Sequence, residues 1–286
     1  MDPACYRILP MALLAALAVS GCQREAEVPG GRVGTDGAAA ASPSAATAQG
    51  DAPGHVELED MMESGPGYII GISYPPGINR YPGLAAEVKR YADDARAGLM
   101  EAVEAREPVP GSGAVMPYDL ALPFDMVMES PDIVAVQATG TVYTGGAHGN
   151  PLVARFVWLP ERGEMLRVEA LIQAPDGLQA VSDFVRESLY GALSHRLDAD
   201  GIAPEDRQRL LRSGGRMIEE GTAPEPGNFA HFEPVQGTGV QLRALRFVFP
   251  PYQVGPYSDG VQTVEVPASV LLPHVAPGYR ALFVGG

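Results

Sequence analysis

The chain has 286 residues, 46% of them hydrophobic, which is enough for one large domain or two small ones, each with a real core. Lys and Arg number 20 against 35 Asp and Glu, a formal net charge of −15. So acidic a surface, with Lys89 as the single lysine and no basic stripe, excludes nucleic-acid binding and favours cationic partners.

The N-terminus reads as an export signal. Arg7 and the terminal amine form a thin positive region, and the apolar run Ile8 to Val19, interrupted by Pro10, is too short for a membrane-spanning helix, which needs about 20 residues. The run ends in Val19-Ser20-Gly21-Cys22, which resembles a bacterial lipobox: an aliphatic residue, two small residues and a cysteine. The resemblance implies diacylglyceryl transfer to the Cys22 thiol, cleavage after Gly21 and acylation of the new amine, with palmitate-like chains holding the protein at a membrane. Gln23 in place of Asp after the cysteine points to the outer membrane of a two-membrane cell, facing the periplasm. Cys5 leaves with residues 1–21 and Cys22 is acylated, so the mature chain has no thiol for a disulfide, a nucleophile or a metal.

Residues 22–58 form the expected lipidated, flexible tether, with Gly, Ala, Ser, Pro and Thr dominating from Pro29 to Gly54. As a coil of about 30 residues it spans roughly 30 Å. The folded part is expected to start near Tyr68. A small α/β segment, 59–112, contains the strand YIIGISYP and a helix from Leu84 to Arg106 with Leu84, Val88, Tyr91, Ala95, Leu99 and Val103 on one face. Asp93 and Asp94 lie off that face and read as solvated acids.

The second unit, 113–286, opens with strands MPYDLALPFDMVMES and DIVAVQATGTVYTGG. PLVARFVWLP and EMLRVEALI, joined by the turn Pro160-Glu161-Arg162-Gly163, read as a hairpin, with Trp158 half-buried in the first strand. A long helix follows, with Leu178, Val181, Val185, Leu189 and Ala192 on its buried face, Asp176 as cap and Gln179 at the capping-box position. Another begins at Pro204-Glu205-Asp206 and is expected to stop or break at Gly214-Gly215, its arginines forming a solvated face. FAHFEPVQGT, VQLRALRFVFP and VQTVEVPASVLL return the chain to strands. The order, without regular βαβ alternation, predicts an α+β fold: a mainly antiparallel sheet packed against two or three helices, preceded by a disordered tether.

Enzyme signatures are absent: there is no G-x-S-x-G, no H-E-x-x-H, no Walker loop, and no S-x-x-K. His55, His148, His195, His231 and His274 are never spaced to share one metal site on one element. No catalytic residue, metal site or cofactor is assigned from the sequence.

Two stretches stand out: YTGGAHGNP, Tyr143 to Pro151, and FPPYQVGPYSDGVQTVEVPASVL, Phe249 to Leu271. Together they resemble the extracytoplasmic domain of RsiV-type anti-sigma factors, also found ahead of the catalytic domain in PdaC-type peptidoglycan deacetylases. The resemblance covers roughly 116–272. It implies an α+β fold facing the envelope and, in the RsiV branch, binding of lysozyme. The chain lacks a deacetylase histidine motif and a transmembrane or sigma-binding segment, so at most binding carries over. Gly145, Gly146 and Gly149 permit positive φ, and Thr144, His148 and Asn150 can bond the loop's own amides. The first stretch is therefore a rigid turn, or a loop meeting a protein or glycan through Tyr143, Gly145, Gly146, His148 and Asn150, or, least of the three, the seat of a catalytic His148. Tyr252 and Tyr257 either pack on the sheet or stack on a ligand. The function expected is a non-catalytic envelope lipoprotein that binds a cationic, lysozyme-like hydrolase or a cell-wall component. The alternatives are an accessory or enzyme of peptidoglycan metabolism and a structural lipoprotein of an envelope complex.

Overall fold

A computed structural model describes residues 57–107, 116–173, 176–237 and 239–286. The expected lipobox with Cys22 and nearly all of the expected tether lie outside them. The fold is α+β, with two sheets packed against helices.

The larger sheet runs β1-β2-β3-β4-β5-β6, comprising β1 (Met61–Gly65), β2 (Tyr68–Ser73), β3 (Tyr118–Glu129), β4 (Val134–Tyr143), β5 (Asn150–Leu159) and β6 (Glu164–Met165). The sheet is mixed: β2 and β3 are parallel, with Tyr68 opposite Tyr118 and Ser73 opposite Pro123. That pairing is reached through helix α1 (Pro82–Glu104), since parallel neighbours need a long crossover. It joins strands from both sides of the boundary expected at 112/113. The expected start near Tyr68 is too late, because β1 pairs with β2 from Met61 onward. Its two methionines, its glutamate and its glycine carry no strand alternation, so only the pairing reveals it.

One face of this sheet is the α1 core. Leu120, Leu122 and Phe124 are buried on alternate positions of β3, and meet Leu84, Val88 and Leu99 of α1 together with Ile70, Ile72 and Phe156. Trp158 is half-buried at the margin of the same core. The hairpin expected at 151–172 closes after two residue pairs, Trp158 with Met165 and Leu159 with Glu164. VEAL then forms a helical turn, α2 (Val168–Leu171), which buries Val168 and Leu171 in the second core instead of continuing as strand.

The second core lies between the smaller sheet, order β7-β8-β9, and helices α3 (Asp176–Ala199) and α4 (Pro204–Gly221). The strands are β7 (Phe232–Gln236), β8 (Leu242–Phe249) and β9 (Gln262–Pro267), with a final turn α5 (Ala268–Leu271). Leu178, Val181, Val185 and Leu189 of α3 face this core as expected, but Leu193 and Leu197, not Ala192, continue the stripe, which drifts around the helix. Gln179 donates to Asp183 on the next turn rather than closing a capping box at Asp176. Helix α4 does not break at Gly214-Gly215; it runs through them to Gly221. Glycine in a helix interior costs about 1 kcal/mol relative to alanine. Here a Cβ on Gly214 would stand 2.8 Å from Leu193 Cδ2, and one on Gly215 2.9 Å from the Tyr190 hydroxyl. The pair lets α4 press against α3.

The two sheets meet at β5 and β7. Arg155 of β5 donates from Nε to Glu233 Oε1 of β7 at 2.5 Å, and the two side chains are 6% and 8% exposed. Arg155 also donates from Nη1 to the carbonyls of Ala138 and Ala154. From Glu233 the charges alternate across the smaller sheet in register: Arg246 on β8, then Glu265 on β9, 2.5 Å from Arg246 Nη2. That hydrogen bond holds the Glu265 carboxyl below the usual carboxylate range. Burial pushes the His231 imidazole, just before β7, below its ordinary value, with the Arg155 charge as the lesser cause.

Removing one partner of a buried ion pair strands the other charge, so Glu233→Ala is expected to cost roughly 3–5 kcal/mol, measured by chemical denaturation. Lys89→Ala, which breaks the exposed pair with Asp93, should cost less than about 1 kcal/mol, and Arg155→Met with Glu233→Leu should recover most of the Glu233→Ala loss. His231 gives a pH signature. Its folded pKa lies below the unfolded value of about 6.5, so its contribution is fully present above that value and is lost as pH falls from there toward the folded pKa. The melting temperature should therefore decline in this window, and His231→Gln should flatten the decline.

Candidate functional site

The two glycine- and proline-rich stretches, a hundred residues apart in sequence, meet in space. The first is the turn between β4 and β5, whose last pair is Val142 with Asn150. Gly145 and Gly146 take φ of 104° and 93°, a region closed to most side chains, so the reversal needs glycine at both. Tyr143 donates from its hydroxyl to the Gly146 carbonyl at 3.2 Å and staples the turn. His148 Nδ1 lies 3.1 Å from the carbonyl of Gly149. A proton on Nδ1 would satisfy the loop's own acceptor and leave Nε2, 3.4 Å from the Tyr252 hydroxyl, as the accepting nitrogen. Asn150 is exposed and opens β5.

The second stretch leaves β8 at Pro250-Pro251 and is pinned from below. Gln253 donates from Nε2 to the carbonyls of Gly221 and Asn228, both at 2.9 Å, and Val254 is buried in the second core. Gly221 lacks the Cβ that would collide with the Gln253 carbonyl. With 253 and 254 turned inward, Tyr252 is turned outward: it is 54% exposed and, among the described residues, the one non-glycine with positive φ, 74°. Such a backbone costs on the order of 1–3 kcal/mol and persists only where the surroundings impose it.

The Tyr257 ring stacks on the exposed His148 imidazole, 4.0 Å between centroids and 16° from parallel. The Tyr252 ring leans on Tyr257 at 5.7 Å, and its hydroxyl is 3.4 Å from His148 Nε2. Tyr257 reaches the Gly149 carbonyl with its own hydroxyl at 3.4 Å. Both 3.4 Å contacts are at the long limit of hydrogen bonding, so stacking is what joins the segments. The turn is thus not held by His148 alone, and the two tyrosines pack on the other stretch rather than on the sheet. Among the described residues the Tyr252 hydroxyl is the one side-chain hydroxyl in hydrogen-bonding range of His148, with no carboxylate to orient the ring. The arrangement suits contact: an exposed, shape-defined aromatic ledge with one imidazole nitrogen at its edge. Among the described residues no three His, Cys, Asp or Glu side chains converge for a metal ion, and no helix is long and apolar enough to cross a membrane.

Composition, and the family resemblance of the two motifs, single out the stretches in the sequence. Their meeting has no sequence signal, because nothing in the spacing of His148 and Tyr257 encodes proximity. Stacking beside Tyr257 should move the His148 ring protons upfield in NMR spectra, and Tyr257→Leu should abolish that displacement. A double-mutant cycle between His148→Ala and Tyr257→Leu should give a coupling of about 0.5–1.5 kcal/mol.

No curated protein matches the chain. Among solved structures it is similar to a DUF3298 family protein from Pseudomonas aeruginosa PAO1, at 16% identity over 80% of this chain and 96% of that one, with a TM-score of 0.48. It is also similar to a DUF3298 family member from Bacteroides fragilis NCTC 9343, at 15% identity over 74% and 85%, with a TM-score of 0.46. Residues 174–269, which carry α3, α4, the smaller sheet and both Tyr252 and Tyr257 but not the His148 turn, match the DUF3298 family, a protein family of unknown function.

Proposed function

We propose that the protein is an exported bacterial lipoprotein, held in the envelope through Cys22, that binds a macromolecular ligand without converting it chemically. The observation that carries the reading is the exposed ledge of His148, Tyr252 and Tyr257, assembled from two segments and maintained despite backbone strain at Tyr252. Rigid aromatic rings of this kind, apolar in body and polar at the tip, dominate many recognition surfaces.

The net charge of −15 favours a cationic protein, since opposite charge accelerates encounter. The resemblance of YTGGAHGNP and the 249–271 segment to RsiV-type domains supports a lysozyme-like hydrolase as that protein. The lipobox supports display at the outer membrane, facing the periplasm. A peptidoglycan strand is the second ligand to consider, because an exposed tyrosine ring can also stack on a sugar.

The test combines address and binding. Wild-type protein should partition into detergent with an acylated N-terminal cysteine by mass spectrometry, and Cys22→Ser should not. The purified mature protein should be retained on immobilised lysozyme at low salt and less so at moderate salt. His148→Ala with Tyr257→Leu should weaken that retention tenfold or more, the scale of a lost hot spot of about 2 kcal/mol. Loss of retention to lysozyme alongside sedimentation with purified sacculi would transfer the reading to the cell-wall ligand. Retention on neither sinks it.

A further inference from the structure

Helices α3 and α4 and the 254–262 segment enclose a cavity of about 450 Å³ that the aromatic ledge does not use. Its size lies within the ~300–1,000 Å³ typical of small-molecule sites. The walls are apolar, with Leu193, Leu197, Ile202, Met217, Ile218 and Val254 among them. Four of these, Leu193, Leu197, Ile218 and Val254, are buried residues of the second core, so the cavity is a cleft into that core rather than a surface dimple.

Its polar groups carry the specificity. Arg196, Asp200 and Asp259 line it together. Arg196 donates from Nη2 to Asp259 Oδ2 at 2.6 Å, which neutralises that guanidinium. Asp200 is exposed and forms no ion pair among the described residues. Helix α3 ends at Ala199, and the dipole of its C-terminus adds negative potential, although the Arg196, Leu197 and Asp198 carbonyls already accept from the backbone N–H groups of Asp200, Ile202 and Gly201. Two carboxylates and a helix C-terminus therefore stand against one guanidinium that is already engaged. The Arg196 side chain is 40% exposed and that of Asp259 17%, so the guanidinium can swing out to water and yield its place at Asp259 to a competing cation.

We propose that this cavity binds an amphipathic cation: an apolar body seated between α3 and α4, with an ammonium or guanidinium group at Asp259 and Asp200. A carboxylate-headed amphiphile of the same length would meet an Arg196 already paired and an Asp200 that repels it. The site is independent of the ligand proposed for the ledge, although one loop serves both, with Tyr252 and Tyr257 on the ledge and Val254, Gly255 and Asp259 at the cavity.

The experiment titrates the purified mature protein with octylammonium, octanoate, 1-octanol and ethylammonium, below micellar concentrations, by calorimetry. Octylammonium should bind at least tenfold more tightly than octanoate. Ethylammonium, which has the charge without the apolar body, should not bind. Asp259→Asn leaves Arg196 without its partner and should reverse the order, octanoate over octylammonium. Leu210→Trp places a bulky ring at the rim, at a position 38% exposed and so tolerant of size, and should weaken every eight-carbon probe by tenfold or more while the melting curve stays cooperative. Octanoate or octanol binding as tightly as octylammonium to the wild-type protein overturns the proposal. So does ethylammonium matching octylammonium, which would mean binding to the acidic surface at large, and so does an affinity unmoved by Leu210→Trp.

Discussion

The buried pair between Arg155 and Glu233 is the constraint on which the architecture rests. One apolar core is built on α1; the other, on α3 and α4, is shared by both sheets, since Ala135, Val157 and Leu159 of the larger sheet are buried in it. The strand faces that meet at β5 and β7 bring two charged side chains into a nearly dry place. A lone charge there would be costly, so Arg155 requires Glu233, whose second oxygen is also met by Arg246. Directionality adds to this: Arg155 also donates to the Ala138 and Ala154 carbonyls, which fixes its plane and, through Glu233, ties β7 of one sheet to β5 of the other. The alternation then continues through Arg246 and Glu265, where exposure is greater and each contact contributes less. A purely apolar junction would slide more easily; a hydrogen-bonded pair of fixed geometry resists it.

That fixed junction is what lets two distant loops meet. The His148 turn belongs to β4 and β5 of the larger sheet, and the Tyr252 loop leaves β8 of the smaller one. Stacking between His148 and Tyr257 at 4.0 Å tolerates little drift of one sheet against the other. The loop is braced independently by Gln253 on the carbonyls of Gly221 and Asn228 and by Val254 in the core. Inward anchors on two consecutive residues force the preceding tyrosine outward with positive φ. Strain at Tyr252 is thus balanced by hydrogen bonding and burial at its neighbours.

Several features could be read from the residues because they follow from local physics. The stripe Leu84, Val88, Leu99 on α1 and the alternation Leu120, Leu122, Phe124 on β3 are periods of the backbone itself. Other features could not. Gly214 and Gly215 look like a helix end, since glycine is a poor helix former, until the nearness of Leu193 and Tyr190 shows why the helix passes through them. VEAL looks like the second arm of a hairpin until its apolar pair finds a better burial place as a helical turn. Met61–Gly65 carries no strand pattern at all; its structure comes from backbone pairing to β2.

The sequence by itself determined the class of the fold, the main helices and strands, the acidic surface, and the two unusual stretches rich in glycine, proline and aromatic residues. Each is a property of neighbouring residues or of composition, legible wherever the period of the chain meets the period of its apolar residues. Only the tertiary structure decided that Arg155 faces Glu233 across 78 positions, that β2 lies parallel to β3, and that His148 stacks on Tyr257. Contacts between distant segments depend on how whole elements pack, and packing is settled by the sum of many weak burials rather than by any local pattern.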